Sequence, residues 1–245
     1  MTKTAAMLVI GDEILSGRTQ DINSNYVAKQ LTAIGIDLKE VRVVGDVEGE
    51  IVAALNALRS RYDFVFTTGG IGPTHDDITA DAVAKAFGTG IGYHPEAYAL
   101  LEARFAPGDF NEARKRMARI PDGGTLIRNS VSVAPGFQIG NVFVMAGVPL
   151  VMRAMMEEVL RRLPHGAPVL SVTISTALPE GAIAQGLGEI QKTFPETVIG
   201  SYPWYRDGKF GAQLVVRTRD GAMMEAAARA IEALVVRLGA TSERI

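Results

Sequence analysis

Three short apolar runs, at residues 5–10, 37–44 and 63–68, are each followed by a stretch with helical periodicity. In 24–34, Tyr26, Val27, Leu31 and Ile34 fall on one face, because residues three and four apart stack on a helix. Gly35 then supplies the stop. The stretches 48–58 and 77–87 repeat the pattern. A βαβαβα order of this kind predicts a parallel sheet buried between two layers of helices. A helical stretch follows at 95–120, broken near Pro107-Gly108. Short strands are expected at 125–127, 137–139 and 142–145, then a helix at 149–163 with Pro149 in its first turn.

Pro164-His-Gly-Ala-Pro168 reads as a linker, and the order changes after it. Strand 169–176, helix 182–193, strands 197–201 and 210–217 and helix 222–238 form a βαββα unit. That unit is too small for a second doubly wound sheet and reads as a separate α+β module. The expected domains are 1–166 and 167–245.

Open parallel sheets bind ligands beyond the carboxyl ends of their strands. Here those ends carry Gly11-Asp12-Glu13, Gly45-Asp46 and the segment Thr67-Thr-Gly-Gly-Ile-Gly-Pro-Thr-His-Asp-Asp-Ile-Thr79. Gly69, Gly70 and Gly72 let backbone N–H groups approach an anion at a strand-to-helix junction. Asp76 and Asp77 lie in the same segment, and carboxylates beside a phosphate cradle repel it unless a cation lies between. The segment therefore points to a phosphorylated ligand held with a hard metal ion. Each feature also has a plainer reading. Asp12, Asp46 and Asp77 suit helix caps, and the glycines suit a tight turn needing positive φ. The loop lacks the Walker lysine with its Ser/Thr and the GxGxxG spacing.

Two further loops, Ala134-Pro135-Gly136 and Ala146-Gly-Val-Pro149, put glycine beside proline at strand boundaries. The second opens a helix, either to receive a phosphate on free N–H groups or only to start the helix with proline. Arg114, Lys115, Arg116 and Arg119 form the one basic cluster, with Lys115 and Arg119 expected on one helix face. It is either a phosphate partner or a solvated face. His75, inside the glycine–aspartate segment, is either a phosphate contact or a plain loop residue.

Several classes of chemistry are excluded. The chain has no cysteine, and its three histidines are scattered without HxxxH or HxH spacing. No GxSxG supports a serine triad. The net charge of −2 favours neither nucleic acid nor an anionic membrane. The apolar run before Gly11 is too short for a signal segment or a membrane span, so a cytoplasmic protein is expected.

At this point a resemblance becomes specific. Residues 67–81 resemble the signature of the MoaB/Mog molybdopterin-binding fold. Gly11-Asp-Glu-Ile-Leu15 and Gly17-Arg-Thr-Gln-Asp-Ile-Asn-Ser24 resemble the competence/damage-inducible protein A (CinA) N-terminal-region branch. Asn129, residues 134–136 and 147–149, and Ile199-Gly-Ser-Tyr-Pro203 extend the likeness over nearly the whole chain. Two elements depart from it: Met145-Ala-Gly-Val-Pro149 stands for Leu-Pro-Gly-Val-Pro, and Ser132-Val-Ala-Pro-Gly136 for Gly-Thr-Ala-Pro-Gly.

The resemblance implies a three-layer α/β/α domain with a mostly parallel sheet, plus a small KH-like C-terminal module. Relatives adenylylate molybdopterin, insert molybdate, or hydrolyse ADP-ribose at its pyrophosphate. By position Asp77 matches the essential loop aspartate, Asp46 a second acidic residue, and Gly69, Gly70 and Gly72 the phosphate loop. The leading expectation is metal-assisted hydrolysis of an ADP-ribose-like nucleotide. Asp46 and Asp77 would bind Mg²⁺ or a similar ion, with K⁺ as a further candidate, and Lys115 would act on the phosphoryl charge. Gly11, Asp12, Glu13, Thr68, Thr74, Pro135, Gly136, Gly147 and Pro149 complete the expected binding set. Molybdopterin adenylylation is the alternative, with molybdopterin as ligand, and a non-catalytic binding or regulatory role the second. The nicotinamide-mononucleotide deamidase domain of full-length CinA has no counterpart in these residues, so no deamidase activity is carried over. A homo-oligomer is expected. Nucleic acid and membrane are not, since Gly208-Lys-Phe-Gly211, the one GXXG match, lies between strands rather than helices.

Overall fold

The structure, a computed structural model, describes residues 2–106 and 108–245, so the break expected at Pro107 falls outside the described residues. The chain divides into two compact units, Met1–Gly166 and Ala167–Ile245.

The first unit begins with β1 (Thr4–Ile10), α1 (Asp12–Leu15), α2 (Asn23–Ala33), β2 (Asp37–Val44), α3 (Glu48–Arg61), β3 (Phe64–Thr68) and α4 (Thr79–Phe87). It continues with β4 (Ile91–Tyr93), α5 (Pro95–Arg104), α6 (Glu112–Lys115), a 3₁₀ turn, and β5 (Arg119–Pro121). Strands β6 (Thr125–Ile127), β7 (Gly136–Ile139) and β8 (Val142–Met145) precede α7 (Pro149–Arg162). The main sheet runs β2-β1-β3-β8-β7-β6. β1 pairs in parallel with β2 and β3, and β3 with β8, while β7 is antiparallel to both β8 and β6. The reversal follows from the short turn after Ile139, where Gly140 takes φ +54° and no crossover helix intervenes.

Strand β1 shows why three layers form. Residues 5–10 are all buried, and successive side chains point to opposite faces. Ala6, Leu8 and Ile10 join α3, α4 and α5 in one core. Ala5, Met7 and Val9 join α2 and α7 in the other. Leu8 is fully buried in the middle of the first, where truncation to Ala typically costs ~2–5 kcal/mol.

The continuous helix expected at 95–120 is not present. α5 ends at Arg104, and residues 119–121 form β5, which pairs antiparallel with β4. Ile120 is buried at 4% exposure, and Pro121 disfavours helix in the residue before it. Lys115 and Arg119 therefore do not share a helix face.

The second unit contains β9 (Leu170–Thr176), α8 (Glu180–Thr193), β10 (Val198–Arg206), β11 (Lys209–Thr218), α9 (Gly221–Arg237) and β12 (Ser242–Arg244). Its antiparallel sheet runs β10-β11-β9-β12. Ile174, Leu214 and Val216 pack with Ile183 of α8 and Ile231 of α9. Asp220 caps α9, its Oδ1 accepting from the N–H groups of Ala222 and Met223 at 2.8 and 3.0 Å. Strand β10 runs five residues past the expected stop at 201, straight through Pro203. It is an edge strand, where a missing donor is tolerated. Gly208, with φ +76°, occupies the tight turn to β11, so the GXXG match is a hairpin corner.

Candidate functional site

The carboxyl ends of β1, β2, β3 and β8 meet at one edge of the main sheet. Gly11 donates its N–H to Val44 O at 3.1 Å, tying the ends of β1 and β2. Asp46 Oδ2 accepts the N–H of Asp12 at 2.9 Å and so fastens the start of α1. Gly69 N–H donates to Met145 O at 3.3 Å, linking the ends of β3 and β8.

The loop from Gly69 to Ile78 depends on glycine at its first two positions. Gly69 has φ +102°, and a Cβ there would stand 2.0 Å from Ile10 O. Gly70 has φ +65°, and a Cβ there would stand 2.2 Å from Thr79 Oγ1. Thr79 returns the loop to α4, donating its hydroxyl to Gly69 O at 2.9 Å and its N–H to Gly70 O at 3.0 Å. Asp77 clasps the loop from within. Its Oδ1 accepts from Gly72 N–H at 2.7 Å, and its Oδ2 accepts from Thr74 N–H at 2.8 Å and from the Thr74 hydroxyl. Asp77 is thus a loop clasp and not a cap of α4. On the outer side, Arg116 Nε donates to Asp77 O at 3.3 Å, and Arg119 forks onto Asp81 at 2.6 and 2.9 Å.

Two more segments approach this loop. The backbone at Gly147 passes so close that a Cβ there would lie 3.2 Å from Gly69 Cα. Asn23, 7% exposed at the start of α2, holds it by donating Nδ2 to Gly147 O at 2.8 Å. Asn129 organises the approach to β7. Its Oδ1 accepts from the N–H groups of Val131 and Ser132 at 3.0 and 2.7 Å, and its Nδ2 donates to Ala134 O at 2.7 Å. Val133 lies between them with φ +67°, a left-handed conformation costly for a β-branched residue.

These segments enclose a cleft of about 500 Å³, within the range of small-molecule sites. Of the expected site residues, Glu13, Gly69, Gly70, Gly72, Asp77, Gly147 and Pro149 line it. Pro135 lines an adjoining neck, and Thr74 a basin beyond that neck. Gly11, Asp12, Asp46, Thr68, Gly136 and Lys115 line none of the three spaces. Thr68 is 1% exposed beneath the loop, its hydroxyl without a hydrogen-bond partner. Gly136 serves the sheet, since a Cβ there would stand 2.3 Å from Val144 O. Lys115 pairs with Glu112 at 2.6 Å, and that hydrogen bond raises its pKa above the ordinary lysine value. His75 is fully solvated, with a side chain 99% exposed. Met117, Val148, Val151 and Met155, which sequence reading did not single out as ligand contacts, supply much of the apolar wall.

Among the described residues, no three acidic or histidine side chains converge as a metal cage. The cleft brings Asp77 together with Glu13 rather than with Asp46. Asp77 has three of its roughly four acceptor sites filled, leaving one on Oδ1. The Glu13 carboxylate accepts no hydrogen bond among the described residues. This set suits a cation that arrives on a ligand's phosphates, the usual habit of Mg²⁺.

Residues 6–165 match the family model described as a probable molybdopterin binding domain. The solved structure of the protein CinA with unknown function from Thermoplasma acidophilum is 32% identical, with a TM-score of 0.63. It covers 66% of this chain and 98% of its own. The chain belongs to the CinA-like MoaB/Mog molybdopterin-binding family. A CinA-like protein of Gemmatimonas aurantiaca is 32% identical over 91% of this chain and 56% of its own length. Residues 168–239 match the model described as FAD synthase, middle domain. A probable FAD synthase of Caenorhabditis briggsae is 31% identical over 96% of this chain, which spans 50% of that relative's length. Both units of this CinA-like chain thus have counterparts in proteins that continue beyond the shared region. Among the described residues no helix is long and apolar enough to cross a membrane.

Proposed function

We propose that this chain hydrolyses the pyrophosphate bond of an ADP-ribose-like nucleotide with the aid of a divalent cation. One observation carries the reading: the Asp77-clasped glycine loop forms one wall of a cleft whose facing wall is apolar. The loop offers N–H groups and close backbone approach to phosphates. Val148, Pro149, Val151 and Met155 offer a surface for a flat heteroaromatic ring. The N–H groups of Leu150 and Val151, in the first turn of α7, have no acceptor within the helix and add to the phosphate environment.

Asp77 Oδ1, with Glu13 nearby, would hold Mg²⁺ against the ligand's phosphates. The bound cation neutralises phosphate charge and lowers the pKa of an attacking water. Glu13, its carboxylate unpaired, is placed to accept that water's proton. The water oxygen bonds one phosphorus, the bridging P–O bond breaks, and two phosphate monoesters leave. The glycine N–H groups stabilise the charge that builds on the phosphoryl oxygens. Asp46 contributes indirectly, by fixing the Asp12 N–H at the start of the helix that carries Glu13. The assay is AMP release from ADP-ribose in Mg²⁺, with and without K⁺. Asp77→Ala should lower the rate by ~10²–10³-fold. Wild-type protein that yields no AMP above a metal-only control overturns the proposal.

The family match over residues 6–165 favours a second reading, in which the same apolar wall takes the pterin of molybdopterin. Incubation with molybdopterin and ATP, followed by a search for adenylylated pterin, separates the two.

A further inference from the structure

The cleft does not end at the glycine loop. Gly70, Gly72, Asp77 and Met117 are shared between the cleft and a narrow neck of about 20 Å³. Arg116 and Arg119 line that neck, and both also line an open basin of about 540 Å³ with Thr74, His75 and Tyr93. The two ends differ in chemistry: the cleft is walled by aliphatic and thioether groups, the basin by guanidinium, imidazole, phenol and hydroxyl.

Charge in the basin is unbalanced. Asp81 is occupied by Arg119, and Glu112 by Lys115. Arg116 reaches Asp81 only at 3.4 Å, and its other contact is the 3.3 Å bond to Asp77 O. Its Nη1 donates no hydrogen bond among the described residues. Arg116 is therefore the surplus cation, one-third exposed and placed between the two compartments. A guanidinium with free donors is a planar fork for phosphate or carboxylate oxygens.

We propose that the basin is the second half of the ligand site, receiving the polar, hydroxyl-bearing end of a two-ended diphosphate that Arg116 grips beyond the glycine loop. A phosphorylated ring with one end fills the cleft and the loop only. A diphosphate with a group at each end fills the cleft, the neck and the basin. The inference rests on the nucleotide reading of the cleft and adds which class of nucleotide it selects.

Calorimetric titration of ADP-ribose and of AMP, both in Mg²⁺, tests it on wild type, Arg116→Gln and Tyr93→Ala. Arg116→Gln should weaken ADP-ribose by about tenfold or more, the scale of a lost charged hydrogen bond, and leave AMP within about twofold. Tyr93, half exposed on the basin wall and remote from the loop clasp, gives a second readout if Arg116→Gln lowers the melting temperature. Its truncation should weaken ADP-ribose alone. Equal losses for both ligands in Arg116→Gln, with no ligand difference in Tyr93→Ala, would mean that Arg116 acts only through the Asp77 loop and would overturn the inference. Wild-type protein that binds AMP as tightly as ADP-ribose overturns the two-ended site and leaves the hydrolase reading standing. Wild-type protein that binds neither overturns both.

Discussion

Two loops wall the cleft, and each is held by a single side chain with the same logic. Asp77 collects the N–H groups of Gly72 and Thr74 together with the Thr74 hydroxyl. Asn129 collects the N–H groups of Val131 and Ser132 and returns a donor to Ala134 O. They differ in how the backbone meets its left-handed positions. The first loop puts glycine at both, where no Cβ has to be accommodated. The second puts Val133 at φ +67°. Glycine at φ +102° and φ +65° lets Gly69 and Gly70 lie against Ile10 O and Thr79. A valine held left-handed stores strain, of order 1–3 kcal/mol, in the segment that leads to Ala134 and Pro135. The first loop is relaxed and closely packed, and the second is held against its own preference.

The largest expected effect is at Gly69. Gly69→Ala forces a Cβ to 2.0 Å from the backbone carbonyl of Ile10, in the fully buried central strand, so no side-chain rotation relieves it. We expect a loss of about 3 kcal/mol or more in stability and loss of ligand binding, read by thermal melting and calorimetry. An unchanged melt would mean that the loop is looser than its contacts indicate, and the contrast with the second loop would dissolve.

The same difference sets how much was legible in the sequence. The first loop announced itself because glycine is the residue type that left-handed backbone requires, and three of them stood beside two aspartates. The second was visible only as Ala-Pro-Gly, since nothing about valine signals positive φ. Strands β2 and β8 were readable to the residue from their apolar runs. β4 and β5 were not, because three-residue strands carry no period and Ile120 mimics a helical contact. The acidic residue that lines the cleft could not be chosen from spacing. Asp46 and Glu13 both follow strand ends, and it is the hydrogen bond to Asp12 N–H that turns Asp46 to a supporting place. Arg116 sat unremarked among four basic residues, because its value depends on Arg119 and Lys115 already being paired.

An intermediate effect of opposite sign is expected at Val133. Val133→Gly releases the left-handed strain, partly offset by glycine's greater freedom in the unfolded chain. A net gain of about 1 kcal/mol corresponds to a melting temperature higher by roughly 2–4 °C for a unit of this size. A lower melting temperature would show that Val133 contributes more by packing than it costs by conformation, and the two loops would then be alike.

The smallest effect lies at the other end of the strand that carries the glycine loop. Asp63 precedes β3, and its carboxylate accepts from Lys3 Nζ at 2.7 Å and from the N–H and hydroxyl of Thr4 at 2.8 and 2.9 Å. The Lys3 hydrogen bond first, then the two from Thr4, lower its pKa from 3.8 to about 2. A carboxylate with a depressed folded-state pKa adds stability that is fully present above its unfolded value. That contribution drains away as pH falls from about 4 towards 2. The side chain is about one-third exposed, so screening by solvent keeps the contribution small. Asp63→Asn should therefore leave a shallower fall in melting temperature between pH 4 and pH 2 than wild type shows. Parallel curves for the two proteins would mean that the anchor of β3 does not depend on charge, and that the glycine loop is carried by the sheet alone.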